Sequence, residues 1–213
     1  MTSTKTIILA SQSRDRKRLL KSSKIPHVVI ISEYEEEIQP KMSSKQLALH
    51  HAHGKANSVV KMVRENPLLI STDSFIIIAA DTVVDFNGET IGKAKDQAHA
   101  METLKKLVGK THSLITGVVI YDSETDTATD YQDSTLVKFS SLSDDEIRDY
   151  ITHSDEYKWR AGCYSIFGRA SIFIESISGS PSNVIGLSMD FVFRTLKKYG
   201  LSVLKMNNKN KIE

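Results

Sequence analysis

The chain has 213 residues, of which 40% are hydrophobic and 25% charged, with a formal net charge of +2. This length suits one domain or one two-lobed domain, and the apolar content supports a sizeable core, so disorder is not the default. The weak net charge excludes wholesale binding to nucleic acid or to a membrane surface, so any phosphate-binding charge has to be local. A single cysteine, Cys163, excludes an internal disulfide framework and fits a reducing compartment. The N-terminal apolar run is too short for a signal peptide, and no stretch reaches the roughly 18 apolar residues needed to span a bilayer. The expectation is a cytoplasmic protein.

In chain order, the apolar run at 7–10 predicts a buried strand. Ser11-Gln12-Ser13 ends it, and a basic helix follows over 14–23 with Leu19 and Leu20 inward. Pro26 stops that helix, 27–31 predicts a second strand, and 33–37 is an acidic loop. A long helix over 43–65 carries Ala52, Ala56, Val59, Val60 and Val63 at helical spacing. Residues 74–84 predict the strongest strand, apolar on both faces and therefore central. Asn87-Gly88 marks a hairpin turn. A helix over 95–108 is expected to bury Ala98, Met101, Leu104 and Val108. Strands at 113–122 and 127–139 follow, then a helix over 144–153 capped by Ser143. A strand at 170–175 and a last helix striped by Met189, Val192, Phe193 and Leu196 complete the pattern. Residues 1–205 read as one domain and 206–213 as a frayed polar tail.

Three features carry possible chemistry. Ser11-Gln12-Ser13 leads from a strand into a helix, where free backbone N–H groups and the helix dipole favour an anion; Arg14, Arg16, Lys17 and Arg18 add charge, although an ordinary Ser-capped helix has the same pattern. Asp81-Thr82 lies at the end of the most apolar strand, where a carboxylate can hold a metal or activate water, or simply bond nearby backbone. Lys55 falls on the edge of the inward helical stripe, where its stem can pack while the ammonium reaches a cleft. Lys93 follows Gly92 just beyond the hairpin, where backbone can approach a ligand closely; either lysine also reads as a surface residue.

Other signals carry less. Gly109-Lys110-Thr111 lacks the upstream glycine of a P-loop, since Leu104 stands there, and it precedes a strand. His50, His51 and His53 lack metal-ligand spacing and read as a solvated helix face. Cys163 reads as a packed small hydrophobe.

In order, the stretches LASQS with R-x-R-K-x-LL, SEYEEE, ALHHAHGKA, AADTVV, IGKAKDQAHAM, LVGKTHSLITGV, AGCYSIFGR and SNVIGL resemble the Maf family of nucleotide pyrophosphatases over residues 7–196. The resemblance implies an α/β fold like that of the inosine triphosphatases: an elongated, mixed, twisted β-sheet flanked by helices, with two lobes around a central cleft. It implies hydrolysis of a nucleoside triphosphate between the α- and β-phosphates, with Mg²⁺ or Mn²⁺ as cofactor, in a protein that is often a homodimer. The implied roles are Asp81 as general base, Glu36 as second carboxylate and metal ligand together with Asp81, and Lys55 and Lys93 as phosphate ligands. Ser11, Ser13 and Arg16 match the first phosphate loop, and Thr82 a base-discriminating position.

The chain departs from the family where Ser13-Arg14-Asp15-Arg16 replaces the usual Ser-Pro-Arg-Arg. The proline is lost and Asp15 replaces an arginine, leaving Arg14 as a substitute phosphate contact. Phe167 stands where many members carry glutamine; it cannot hydrogen-bond a base edge but can stack on a base. These changes motivate an alternative reading, a nucleotide-binding regulatory protein with weak catalysis, for example in cell-division control. The substrate base, a non-canonical or a pyrimidine one, stays open.

Overall fold

Ile76, Ile77 and Ile78 are all fully buried, so the strand that carries them is covered on both faces, and the architecture is organised around it. In a computed structural model describing residues 5–37, 39 and 41–206, the sheet has seven strands and is open and mixed. Strands β1 (Thr6–Leu9), β2 (Val28–Val29), β3 (Phe75–Phe86), β4 (Glu89–Ile91), β5 (Thr111–Asp122), β6 (Thr127–Phe139) and β7 (Ile174–Ser178) run in the order β2-β1-β3-β5-β6-β7, with β4 paired to β3. The β1 pairings to β2 and β3 are parallel, and the remaining pairings are antiparallel. Helices α1 (Arg14–Ser22), α2 (Ser44–Glu65), α3 (Gln97–Leu107), α4 (Asp144–His153), α5 (Pro181–Ile185) and α6 (Met189–Lys198) flank the sheet. This is the mixed α/β fold expected from the sequence.

Alternate residues of β3 serve different layers. Ile76, Ile78 and Ala80 pack with Leu19 and Leu20 of α1 and Phe191, Val192 and Leu196 of α6. Phe75, Ile77 and Ala79 pack against Ala52, Ala56, Val59 and Val63 of α2. Burying each isoleucine contributes about 2 kcal/mol. Farther along the same strand, Val84 joins a separate cluster with Leu104 and Leu107 of α3, Phe139, and Ile147 and Tyr150 of α4. The long central strands thus run from one core to the other, and residues 81–83 lie between the two. Helix α2 lies close against the sheet because Gly117 of β5 has no side chain: a Cβ there would stand 2.6 Å from the Ala48 backbone.

Several local expectations are corrected. The strand expected over 27–31 is only Val28–Val29, because β1 ends at Leu9 and offers two partners, Ile8 and Leu9. The inward stripe of α3 is Ala100, Thr103, Leu104 and Leu107, with Ala98 exposed and Met101 and Val108 partly buried; the small polar Thr103 takes a core position that an apolar pattern passes over. The strand expected over 170–175 starts as a 3-10 turn, Arg169–Ile172, and β7 begins only at Ile174. The Glu156 carboxylate accepts the backbone N–H groups of Arg169 and Ala170 and holds that turn. Helix α5 was not anticipated. Of the tail expected to fray, 207–213 lies outside the described residues. Among the described residues, no helix is long and apolar enough to cross a membrane.

Candidate active site

Strand β1 pairs with β3 only from Phe75 to Ile78, and β4 pairs with β3 only from Val84 onward. Among the described residues, the stretch of β3 from Ala79 to Val83 between these partners has a strand partner on the β5 side alone. A cleft of about 1040 Å³ opens at this gap. Its walls come from the loop after β1, the acidic loop, α2, the segment after β4, the segment from His153 to Arg169, and the loop after α5.

Asp81 and Thr82 are consecutive in an extended strand, so their side chains leave on opposite faces. Asp81 turns toward α2. There Lys55 lies one helical turn after His51 and Ala52, both buried, so its stem runs along the packed face. The Lys55 ammonium sits 2.6 Å from Asp81 Oδ1 and 2.7 Å from Glu36 Oε1. Lys93 approaches the other oxygen of Glu36, with Nζ 3.7 Å from Oε2. Burial alone would raise the Glu36 carboxyl, but Lys55, and then Lys93, hold it down to about 2. The four residues named from the sequence, Glu36, Lys55, Asp81 and Lys93, therefore meet in one cluster.

Thr82 turns the other way and meets Arg16. That guanidinium is buried; it donates from Nε to the Gly186 carbonyl at 2.7 Å, from Nη1 to Ser11 Oγ at 3.2 Å, and from Nη2 to Thr82 Oγ1 at 2.9 Å. Burial lowers its pKa, against the pull of Asp81, Glu36 and Asp15, yet a guanidinium stays charged. Arg16 thus braces the cleft floor, tying the loop after β1 to β3 and to the loop after α5. Thr82 Oγ1 continues to Thr116 Oγ1 at 3.0 Å, and Thr116 donates to the Asn183 carbonyl at 3.2 Å. Ser11 Oγ accepts the Ser13 N–H, and Ser13 Oγ caps α1 by accepting the Arg16 N–H. The structural reading of this loop therefore holds: the serines shape a helix N-terminus, and that helix start lines the cleft. Arg14 is exposed at the rim. Phe167 also lines the cleft, with the Arg18 guanidinium 4.4 Å above its ring.

Several participants carry no recognised signal in the sequence. His51 is buried rather than solvated, and its Nδ1 lies 3.0 Å from the Tyr34 hydroxyl. Gly54, one helical turn away, leaves the space that the Tyr34 ring fills. The spacing of His51 four residues before Lys55 was the available signal. Arg160 reaches across to Asp15, and Asn183 supports Thr116; neither lies in a pattern with an independent signal. Cys163 is buried, as expected of a packed small hydrophobe, and burial pushes its thiol up to about 11.

Glu36 and Asp81 each place one carboxylate oxygen on the same ammonium, so both can turn to a shared cation. Among the described residues no group of three or more His, Cys, Asp or Glu side chains is arranged to hold a metal. Two carboxylates with room for water and phosphate oxygens suit Mg²⁺, which rarely sits in an all-protein cage.

An open mixed sheet, interrupted at its central strand by a cleft that pairs lysines with carboxylates, defines an α/β protein with a strongly charged cleft. The chain belongs to the Maf-like protein family, whose model matches residues 6–199. It is 39% identical over 198 residues to a dTTP/UTP pyrophosphatase of Clostridium tetani, a match covering 92% of this chain and 98% of that one. It is 37% identical over 199 residues to a dTTP/UTP pyrophosphatase of Bacillus cereus, covering 93% and 98%. A third such enzyme, from Clostridium acetobutylicum, is 34% identical over 200 residues, covering 92% and 99%. The family resemblance read from the sequence is borne out.

Proposed function

We propose that this protein is a nucleoside triphosphate pyrophosphatase that converts a pyrimidine triphosphate, dTTP or UTP, to the monophosphate and pyrophosphate. The reaction class and the pyrimidine preference are those in the names of its relatives. The observation that carries the reading is the convergence of Glu36, Lys55 and Asp81, contributed by a loop, a helix and a strand, on one point of the cleft.

A triphosphate carries about four negative charges, so an attacking water meets strong repulsion. Lys55 and Lys93 lie where they can turn from Glu36 and Asp81 to phosphate oxygens and neutralise charge as the α-phosphorus is attacked. Once Lys55 engages phosphate, Asp81 is released to orient the water and accept its proton. The new bond joins the water oxygen to the α-phosphorus; the bond from that phosphorus to the bridging oxygen breaks, and pyrophosphate leaves. Glu36 and Asp81 would hold Mg²⁺ or Mn²⁺, which supplies further charge neutralisation when bound. The start of α1, which lines the cleft beside this cluster, favours the same polyanion through its helix dipole. Thr82 accepts from Arg16 and gives its proton to Thr116, so it offers the base one remaining oxygen lone pair, and Phe167 offers a ring to stack on it.

The test is a nucleotide panel with Mg²⁺, with products separated by chromatography. Monophosphate and pyrophosphate in equal amounts, formed fastest from dTTP or UTP, support the reading. A diphosphate with inorganic phosphate contradicts the bond assignment, and a faster purine substrate contradicts the pyrimidine assignment. Tight nucleotide binding without turnover would favour a regulatory protein.

A further inference from the structure

Asp15 stands in the first turn of α1, and Arg160 on the segment that forms the facing wall of the cleft. Arg160 donates to Asp15 Oδ2 from Nε at 2.9 Å and places Nη2 at the same distance from that oxygen. Its Nη1 donates to the Glu156 carbonyl at 3.3 Å. One turn farther along α1, Arg18 covers the Phe167 ring, so the two walls touch at a second point. The preceding residue, Trp159, has φ +68° with an indole that is 82% exposed. A bulky side chain rarely adopts that backbone conformation, and such strain collects at functional sites. The bend sends the indole outward and Arg160 inward.

We propose that Asp15 and Arg160 form a substrate-operated clasp: Asp15 holds Arg160 in the free protein, and an entering triphosphate takes Arg160 over through its phosphate oxygens. This rests on the nucleotide pyrophosphatase reading and adds Arg160 to the groups that bind the polyphosphate, with Asp15 as a competitor built into the same cleft. Both donors of Arg160 fall on a single carboxylate oxygen, so the pair lacks the two parallel bonds that make an Arg–carboxylate contact strong. The pair is also partly exposed, at 31% and 20%, which screens it. A polyphosphate offers several oxygens and more charge to the same planar fork. The exchange therefore favours substrate, and Asp15 sets how much affinity is withheld.

Calorimetry with inorganic tripolyphosphate in the presence of Mg²⁺ tests the clasp without requiring turnover. Asp15→Asn is expected to tighten binding about fivefold. Arg160→Met is expected to weaken it by a similar factor, and Asp15→Asn added to Arg160→Met is expected to give no gain. In kinetics, Asp15→Asn lowers KM by a larger factor than it changes kcat, a split that loss of fold would not produce. Unchanged or weaker binding by Asp15→Asn overturns the clasp. So does a gain that persists in the Arg160→Met background, which would mark general charge repulsion. If the wild-type protein hydrolyses no nucleotide, the pyrophosphatase reading fails while the tripolyphosphate series still decides the clasp.

Discussion

Lys55 and Asp81 are held together at 2.6 Å although both are buried, one on α2 and one on the central strand. In the resting protein the ammonium sits where charge compensation is needed for folding. In the proposed reaction the same ammonium turns to phosphate. One side chain thus links stability to chemistry, and the two roles separate under mutation.

Replacing Lys55 with methionine leaves the Asp81 carboxylate buried without that partner. The expected loss of stability is about 3 kcal/mol at neutral pH, read from urea unfolding. Lys55→Met combined with Asp81→Asn removes the uncompensated charge and is expected to recover part of that loss. Two losses that simply add would contradict a buried, mutually compensating pair.

Glu36 gives a signature at low pH. Its carboxyl is held at about 2 in the folded protein, below its ordinary value of 4.5. The contribution of Glu36 to stability is therefore present above about pH 4.5 and is lost as pH falls through 2. The side chain is 39% exposed, so solvent screens the interaction, and the contribution is about 1 kcal/mol or less. The stability difference between wild type and Glu36→Gln should narrow across that window, and a constant difference from pH 7 to pH 2 would contradict it.

His112 acts at a higher pH. It is buried beside Phe139 and Tyr164, with Nε2 3.1 Å from the Tyr164 hydroxyl. Burial pushes it down from 6.5 to about 4. Between these values the unfolded chain takes up a proton that the folded chain refuses, so stability falls as pH drops from 6.5 toward 4. The full effect is about 3 kcal/mol. Urea midpoints of wild type should decline over this range, and those of His112→Phe should decline less.

Gly117 is a packing test remote from charge. Gly117→Ala puts a methyl against the α2 backbone at Ala48, and backbone cannot swing aside as a flexible side chain can. The expected destabilisation is about 2 kcal/mol, seen as a lower thermal midpoint. Because α2 also carries Lys55, activity should fall with it.

What could be read from the sequence followed from strong local patterns. The β3 run FIIIAA announced a strand covered on both faces, and Ser43 and Ser143 announced helix starts that the structure closes as capping boxes with Gln46 and Glu146. Patterns of that kind say nothing about which residues meet across the chain. The meeting of Glu36 with Lys55 and Asp81 was expected only through the family resemblance. Arg160 finding Asp15, 145 positions away, had no signal at all. Helix α5 carries its own local signals: Ser180 caps it, Pro181 occupies its first turn and Gly186 closes it in a left-handed conformation. The segment 170–175 misled because its apolar residues suit a strand, while Glu156 captures its N–H groups in a turn.

Pyrophosphate release from dTTP and UTP by wild type and by Asp81→Asn, with Mg²⁺ and with folding checked by circular dichroism, bears most directly on the proposed catalytic cluster. Wild type is expected to turn over, and kcat of the folded variant to drop about a thousandfold. A folded Asp81→Asn protein that turns over as fast as wild type would contradict this expectation.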